Sequence, residues 1–236
     1  MMRFPDGSKI CFIGDSLTAH NEILSRIVDK YNKSFPGENI EFFNCGTSGG
    51  TIGSALNFFY DDVLSHNPTH AVIAFGINDS ERWHLESPRS ESRLTLLKKA
   101  FEKYKDNLIK YCDMLNSHGI KIILCTPAPY DEYSNHAKEA LKGGYSLMLG
   151  YSEFIRSYAK ENGFDTVTSV LGISRYKDME QVNKAARQAS QETGVHYDET
   201  NWRKGGLEQL RQQLVKETEM YAQDYCGCPY SKRNVF

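Results

Sequence analysis

The sequence has no long apolar run, no dominant sign of charge and few residues that staple a chain. Its longest apolar stretches, such as Ala71-Val72-Ile73-Ala74-Phe75, cover about a quarter of a membrane span. Membrane insertion is therefore not expected. Lysine and arginine number 28 against 30 aspartates and glutamates, a net charge of −2. That balance supplies no basic field to hold nucleic acid or acidic lipid, so no nucleic-acid partner is expected. The residues from Met1 to Ser8 run straight into an apolar strand at Lys9. They show no basic segment, apolar stretch and small-residue cleavage site of a secretory leader, which predicts a cytoplasmic protein.

Cysteine is sparse, six in 236 residues. Cys11 and Cys125 sit inside apolar strand patterns, where a free thiol behaves as a small hydrophobe. Cys226-Gly227-Cys228 offers a metal-binding or redox pair, but no second Cys/His pair stands at zinc-site spacing. The expectation is reduced thiols, with no metal and no cofactor.

What is present is ordinary globular material, 40% apolar and 25% charged, enough to build a core without staples. Short apolar runs at Ile10–Ile13, Ile40–Phe43, Ala71–Phe75 and Ile120–Cys125 read as buried strands, with a weaker fifth around Phe164–Val167. Helical spacing separates them, at Ile23 to Tyr31, from the glycine-rich stretch to Leu64, at Arg93 to His118 and at Gly144 to Glu161. Strands apolar on both faces and spaced by helices predict a parallel sheet covered on both sides. Lys177 to Gln191 is polar and helical without a place in the sheet, and a last helix runs from Leu207 to Tyr221. The economical reading is one domain over residues 1–236, with a polar insertion around 174–192 and a loosely held tail from about 225.

In such sheets ligands bind beyond the carboxyl ends of the strands. Gly14-Asp15-Ser16-Leu17-Thr18 ends the first strand and places a serine at a helix N-terminus, suited to a nucleophile or to a helix cap. Asn44 to Thr51 is glycine-rich, which bares backbone N–H groups, but it lacks the phosphate-loop patterns. Gly76-Ile77-Asn78-Asp79 follows the third strand, and the Asn78 amide can donate to an oxyanion. His196, in Gly194-Val195-His196, is the general-base candidate, with His20, His84 and His136 behind it.

Together these residues resemble the GDSL, or SGNH, hydrolase family, whose Ser, Gly, Asn and His stand in four ordered blocks. Gly14-Asp15-Ser16-Leu17 is similar to the first, Asn44-x-Gly46-x-Ser48-Gly49 to the second, Gly76-x-Asn78-Asp79 to the third and Val195-His196 to the last. The resemblance implies a three-layer α/β/α, flavodoxin-like fold with a five-stranded parallel sheet. It also implies a serine esterase or acylhydrolase acting on a small-molecule acyl ester. Ser16 is then the nucleophile that carries the acyl-enzyme and His196 its base. The backbone N–H groups of Ser16 and Gly49 and the Asn78 side chain form the oxyanion hole.

The family places an Asp three residues before its histidine, where this chain has Thr193. Glu192, Asp198 or a backbone carbonyl in a Ser-His dyad remain as the group that orients the ring. Thr193 also supports another class, a catalytically impaired carbohydrate- or ligand-binding protein, with a flavodoxin-like nucleotide binder as a variant. Gly46-Thr47-Ser48-Gly49-Gly50 separately fits the Gly-x-Ser-x-Gly elbow of α/β-hydrolases. Trp83, Tyr130, Tyr133 and Trp202 suit sugar stacking or core cover. No apolar lid is present, which favours small polar esters such as acetylated carbohydrates.

Overall fold

Residues 9–14 are apolar except at their ends, and no side of that strand tolerates water. In the computed structural model, which describes residues 3–86, 90–132, 141–169, 178–199, 201, 204 and 207–217, they form β1 (Lys9–Gly14). Ile10 and Cys11 are fully buried. β1 pairs in parallel with β2 (Glu41–Gly46) on one edge and β3 (His70–Ala74) on the other; β3 pairs in turn with β4 (Lys121–Leu124). The order is β2-β1-β3-β4. The protein is thus α/β with a parallel sheet.

The chain divides into two compact units, one built on the described residues up to Arg156, the other on those from Ser157 onward. The sequence reading places both in one domain. In the first unit, α1 (Ser16–Ala19) is a single turn and α2 (Asn21–Ser34) follows at once. Tyr31 of α2 packs against Phe42 and Phe4 on one face of the sheet. The opposite face receives α3 (Ile52–Ala55), an irregular helical run through His66, and α4 (Glu91–Ser117). α4 buries Leu97, Ala100, Tyr104, Leu108, Tyr111 and Leu115, a stripe at helical spacing. The Tyr104 ring meets Tyr151 of α5 (Gly144–Glu161) at 4.7 Å.

In the second unit, β5 (Thr166–Thr168) pairs in parallel with β6 (His196–Asp198), and α6 (Met179–Thr193) connects toward β6. α7 (Leu207–Glu217) is the last described element. Two expectations need correction. The fifth strand does not extend the sheet: among the described residues the sheet has four strands, and β5 belongs to a separate two-stranded ladder. His196 lies in a strand, not in a loop. Both strands are short and largely exposed, so neither leaves the apolar run by which a buried strand is read. The tail from about 225 lies outside the described residues.

Close approach of α1 to the strand ends requires glycine twice. A Cβ on Gly46 would run into the backbone of Thr18 and Ala19, and one on Gly14 would meet the Thr18 side chain and the Ala74 carbonyl. Backbone cannot step aside as a flexible side chain can. Gly46→Ala is expected to lower stability by ~3 kcal/mol in urea denaturation, with helix content retained in dilute buffer.

Candidate functional site

Three loops of the first unit meet beyond the ends of β1, β2 and β3. Asp15, buried, caps α1 by accepting the Leu17 N–H at 2.9 Å, which makes half-buried Ser16 the first residue of the turn. The Thr47 N–H donates to the Gly14 carbonyl at 2.9 Å, and Gly50 donates to Thr47. Gly49 is exposed with φ +72°, a conformation that glycine adopts freely. Asn78 donates its side-chain N–H to the Gly50 carbonyl at 3.0 Å, tying the third loop to the second. Ser48 is exposed, and five residues of chain separate the end of β2 from α3, so the sharp strand-to-helix elbow is not formed.

Asp79 is the most strained charge here. Its Oδ1 accepts the Ile52 N–H at 2.9 Å, while Oδ2 is buried with no hydrogen-bond partner. Burial pushes its carboxyl from 3.8 up to about 6, against backbone N–H groups that pull it down and with Asp15 adding to the rise. The sequence reading treated Asp79 only as a neighbour of Asn78, although an acid directly after a strand-end Asn in an apolar setting was the available signal.

In the second unit β6 turns His196 and Asp198 to one side and Tyr197 to the other. The His196 N–H donates to the Asp165 carbonyl at 2.7 Å, and its ring is exposed. Buried Tyr197 donates to Asn183 Oδ1 at 3.0 Å, and Asn183 Nδ2 donates to Glu199 at 2.8 Å. Arg187 closes the network on Glu199 at 2.6 Å, and that contact raises the guanidinium still further. Sequence reasoning missed this set. Asn183 and Arg187 are one turn apart on a helix whose one buried side chain is the polar Asn183, which a search for apolar burial passes over. Glu192 accepts from Gln188 at 2.9 Å, and the Thr193 hydroxyl donates to the Ala189 carbonyl.

Ser16 and His196 thus belong to different units, each with its own surroundings. His20 stands at the N-terminus of α2, and His84 pairs with Glu81 at 3.3 Å. His136, Tyr133, Trp202, Cys226 and Cys228 lie outside the described residues. Among the described residues no group of three His, Cys, Asp or Glu is placed to hold a metal ion. No described helix is long and apolar enough to cross a membrane.

A parallel α/β sheet with ligand-ready strand ends defines a broad class, and comparison with known proteins narrows it. Axe2, an acetylxylan esterase from Geobacillus stearothermophilus, shares the fold with a TM-score of 0.55 at 20% identity, over 93% of this chain and 98% of that one. The family model for epoxyqueuosine reductase QueH matches residues 100–234. QueH of Acinetobacter baylyi is 38% identical over 137 residues, 56% of this chain and 62% of the relative. QueH of Histophilus somni is 49% identical over 79 residues, 33% of this chain and 32% of the relative. The chain belongs to the epoxyqueuosine reductase QueH family. It spans less than two thirds of the length of these relatives.

This membership overturns the assignment to the GDSL/SGNH hydrolases. The serine esterase with an acyl-enzyme on Ser16, its small-molecule ester partner and the impaired ligand-binding variant fall with it. The exclusion of nucleic acid falls too, because the relatives are named for a nucleoside substrate and net charge sums over a whole chain without describing any local face. The motif blocks misled for a physical reason. Gly, Asp, Ser and Asn are what any strand-to-helix turn prefers, so short blocks of them mark a parallel sheet as readily as a reaction.

Asp79 provides a test of the strand-end electrostatics. Its folded-state value lies above its unfolded one, so its contribution to stability is fully present below about pH 4 and is lost as pH rises through 6. Asp79→Asn keeps the acceptor for Ile52. It is expected to flatten this slope and to raise stability near neutral pH by about 2 kcal/mol in urea titrations across the pH range.

Proposed function

We propose that the chain acts in the reduction of epoxyqueuosine, with the chemistry carried by residues 100–234. The observation that supports this reading is the QueH family match over that segment, alongside 38% identity to the Acinetobacter reductase. The partner on this reading is a nucleic acid, an RNA bearing the epoxide nucleoside. Reductive loss of an epoxide oxygen takes two electrons and two protons and releases water, so the site needs a proton donor at the oxygen and a route for electrons.

The matched segment holds side chains for both tasks. His196 sits exposed on β6, where its imidazole is open to a substrate and can donate a proton to the departing oxygen. Cys226 and Cys228 are thiols within the same segment and suit electron transfer by thiol–disulfide chemistry. The network of Asn183, Tyr197, Glu199 and Arg187 would hold β6 and so His196 in place. Ser16, Gly49 and Asn78 lie before the matched segment and take no part in this reading. We place the protein in the cytoplasm, where cysteines such as Cys11, Cys45, Cys112 and Cys125, none of them disulfide-bonded, stay reduced.

The test is incubation of the full chain with epoxyqueuosine-bearing tRNA and a strong reductant, followed by mass analysis of the nucleosides. Loss of one oxygen atom from epoxyqueuosine is expected. Cys226→Ser or Cys228→Ser should abolish it, and His196→Ala should slow it by about 100-fold with the fold intact. Absence of product from the wild-type chain overturns the reading.

A further inference from the structure

Two thiols of the first unit are used neither by the fold nor by the proposed reduction. Cys11 stands opposite Phe43 and Cys45 opposite Ile13 across the β1–β2 ladder, so both side chains point to the face covered by α3 and α4. The Cys11 thiol donates to the Val63 carbonyl at 4.0 Å, and the two thiols are near enough to shift each other's acidity. Cys11 is fully buried. Cys45 is half-buried and opens onto a cavity of about 40 Å³ whose walls include Thr47, Asp62 and Tyr111.

That cavity contains an unmet hydrogen-bonding group. Tyr111 is 0% exposed and its hydroxyl has no partner. A buried phenol of this kind marks a place for a small polar occupant, and the space is close to what a water or slightly larger molecule fills. The pair is unequal. The neighbouring Cys11 holds the Cys45 thiol below its ordinary value, while Cys45 and then burial push Cys11 up.

We propose that Cys45 is a peroxide-reactive thiol, that Cys11 is its resolving partner, and that the Tyr111 hydroxyl donates to the departing peroxide oxygen. The Cys45 thiolate attacks one oxygen of hydrogen peroxide. A sulfur–oxygen bond forms as the oxygen–oxygen bond breaks, and the leaving hydroxide takes up the proton lost by Cys45 and departs as water. Cys11 then attacks the Cys45 sulfur of the sulfenic acid. The sulfur–sulfur bond forms, the sulfur–oxygen bond breaks, and the second hydroxide leaves as water with the Cys11 proton. Two thiols lose two electrons and one peroxide becomes two waters. The cysteines occupy diagonal positions across the ladder, so their disulfide needs a shift of the strand ends, which makes it easily reversed by a dithiol.

The experiment is exposure of the full chain to equimolar hydrogen peroxide, with peptide mapping and a sulfenic-acid probe such as dimedone. A Cys11–Cys45 disulfide that a dithiol reverses is expected in the wild-type protein. Cys11→Ala should instead accumulate dimedone-labelled Cys45, and Tyr111→Phe should slow Cys45 oxidation by about tenfold. Circular dichroism confirms that each variant remains folded. Cys45 left unmodified in the wild-type chain while other cysteines oxidise overturns the proposal. So does Cys11 oxidised as fast in Cys45→Ser as in the parent. These readouts follow the thiols alone and are unaffected by whether the chain reduces epoxyqueuosine.

Discussion

The hydrogen-bonded ladders on both edges of β1 are the constraint on which the first unit depends. A strand paired on both sides and buried on both faces has no group left for water, so its neighbours are fixed in register. That register sets Gly14 beside Gly46 and Ala74, and brings three loops to one edge of the sheet. The loops then bind one another through Thr47, Gly50, Asn78 and Asp79. The unsatisfied Asp79 oxygen is the energetic cost of that convergence.

The second unit is held differently. Its two strands contribute three residues each, too few to stand as a ladder alone. Tyr197 supplies buried surface, and Asn183 satisfies its hydroxyl while gripping Glu199. A polar network of this kind is directional where an apolar core is not. It therefore specifies which side of β6 faces α6 and which carries His196.

Legibility in the sequence followed the same division. The four strands of the sheet were readable as short apolar runs, and Ile10 to Ile13 is the clearest because β1 is buried on both faces. α4 was readable because Leu97, Ala100, Tyr104, Leu108 and Tyr111 repeat at helical spacing. β5 was found in the right place but assigned to the wrong sheet, since Thr166 and Thr168 say nothing of a partner. β6 was invisible, being three residues with one buried. The helical run after Gly53 was anticipated as regular, whereas beyond Ala55 it winds irregularly to His66. The site was legible as a convergence of loops and illegible as a function. Turn-forming residues at strand ends imitate a hydrolase pattern, while the likeness to QueH over residues 100–234 is carried by no spacing that a single sequence displays.

The separation of β5 from β6 along the chain has a kinetic consequence. Parallel pairing of Thr166 with His196 cannot begin until α6 has folded back between them, so closure of that long loop must precede any hydrogen bond that rewards it. The ladder is therefore late to assemble and early to open.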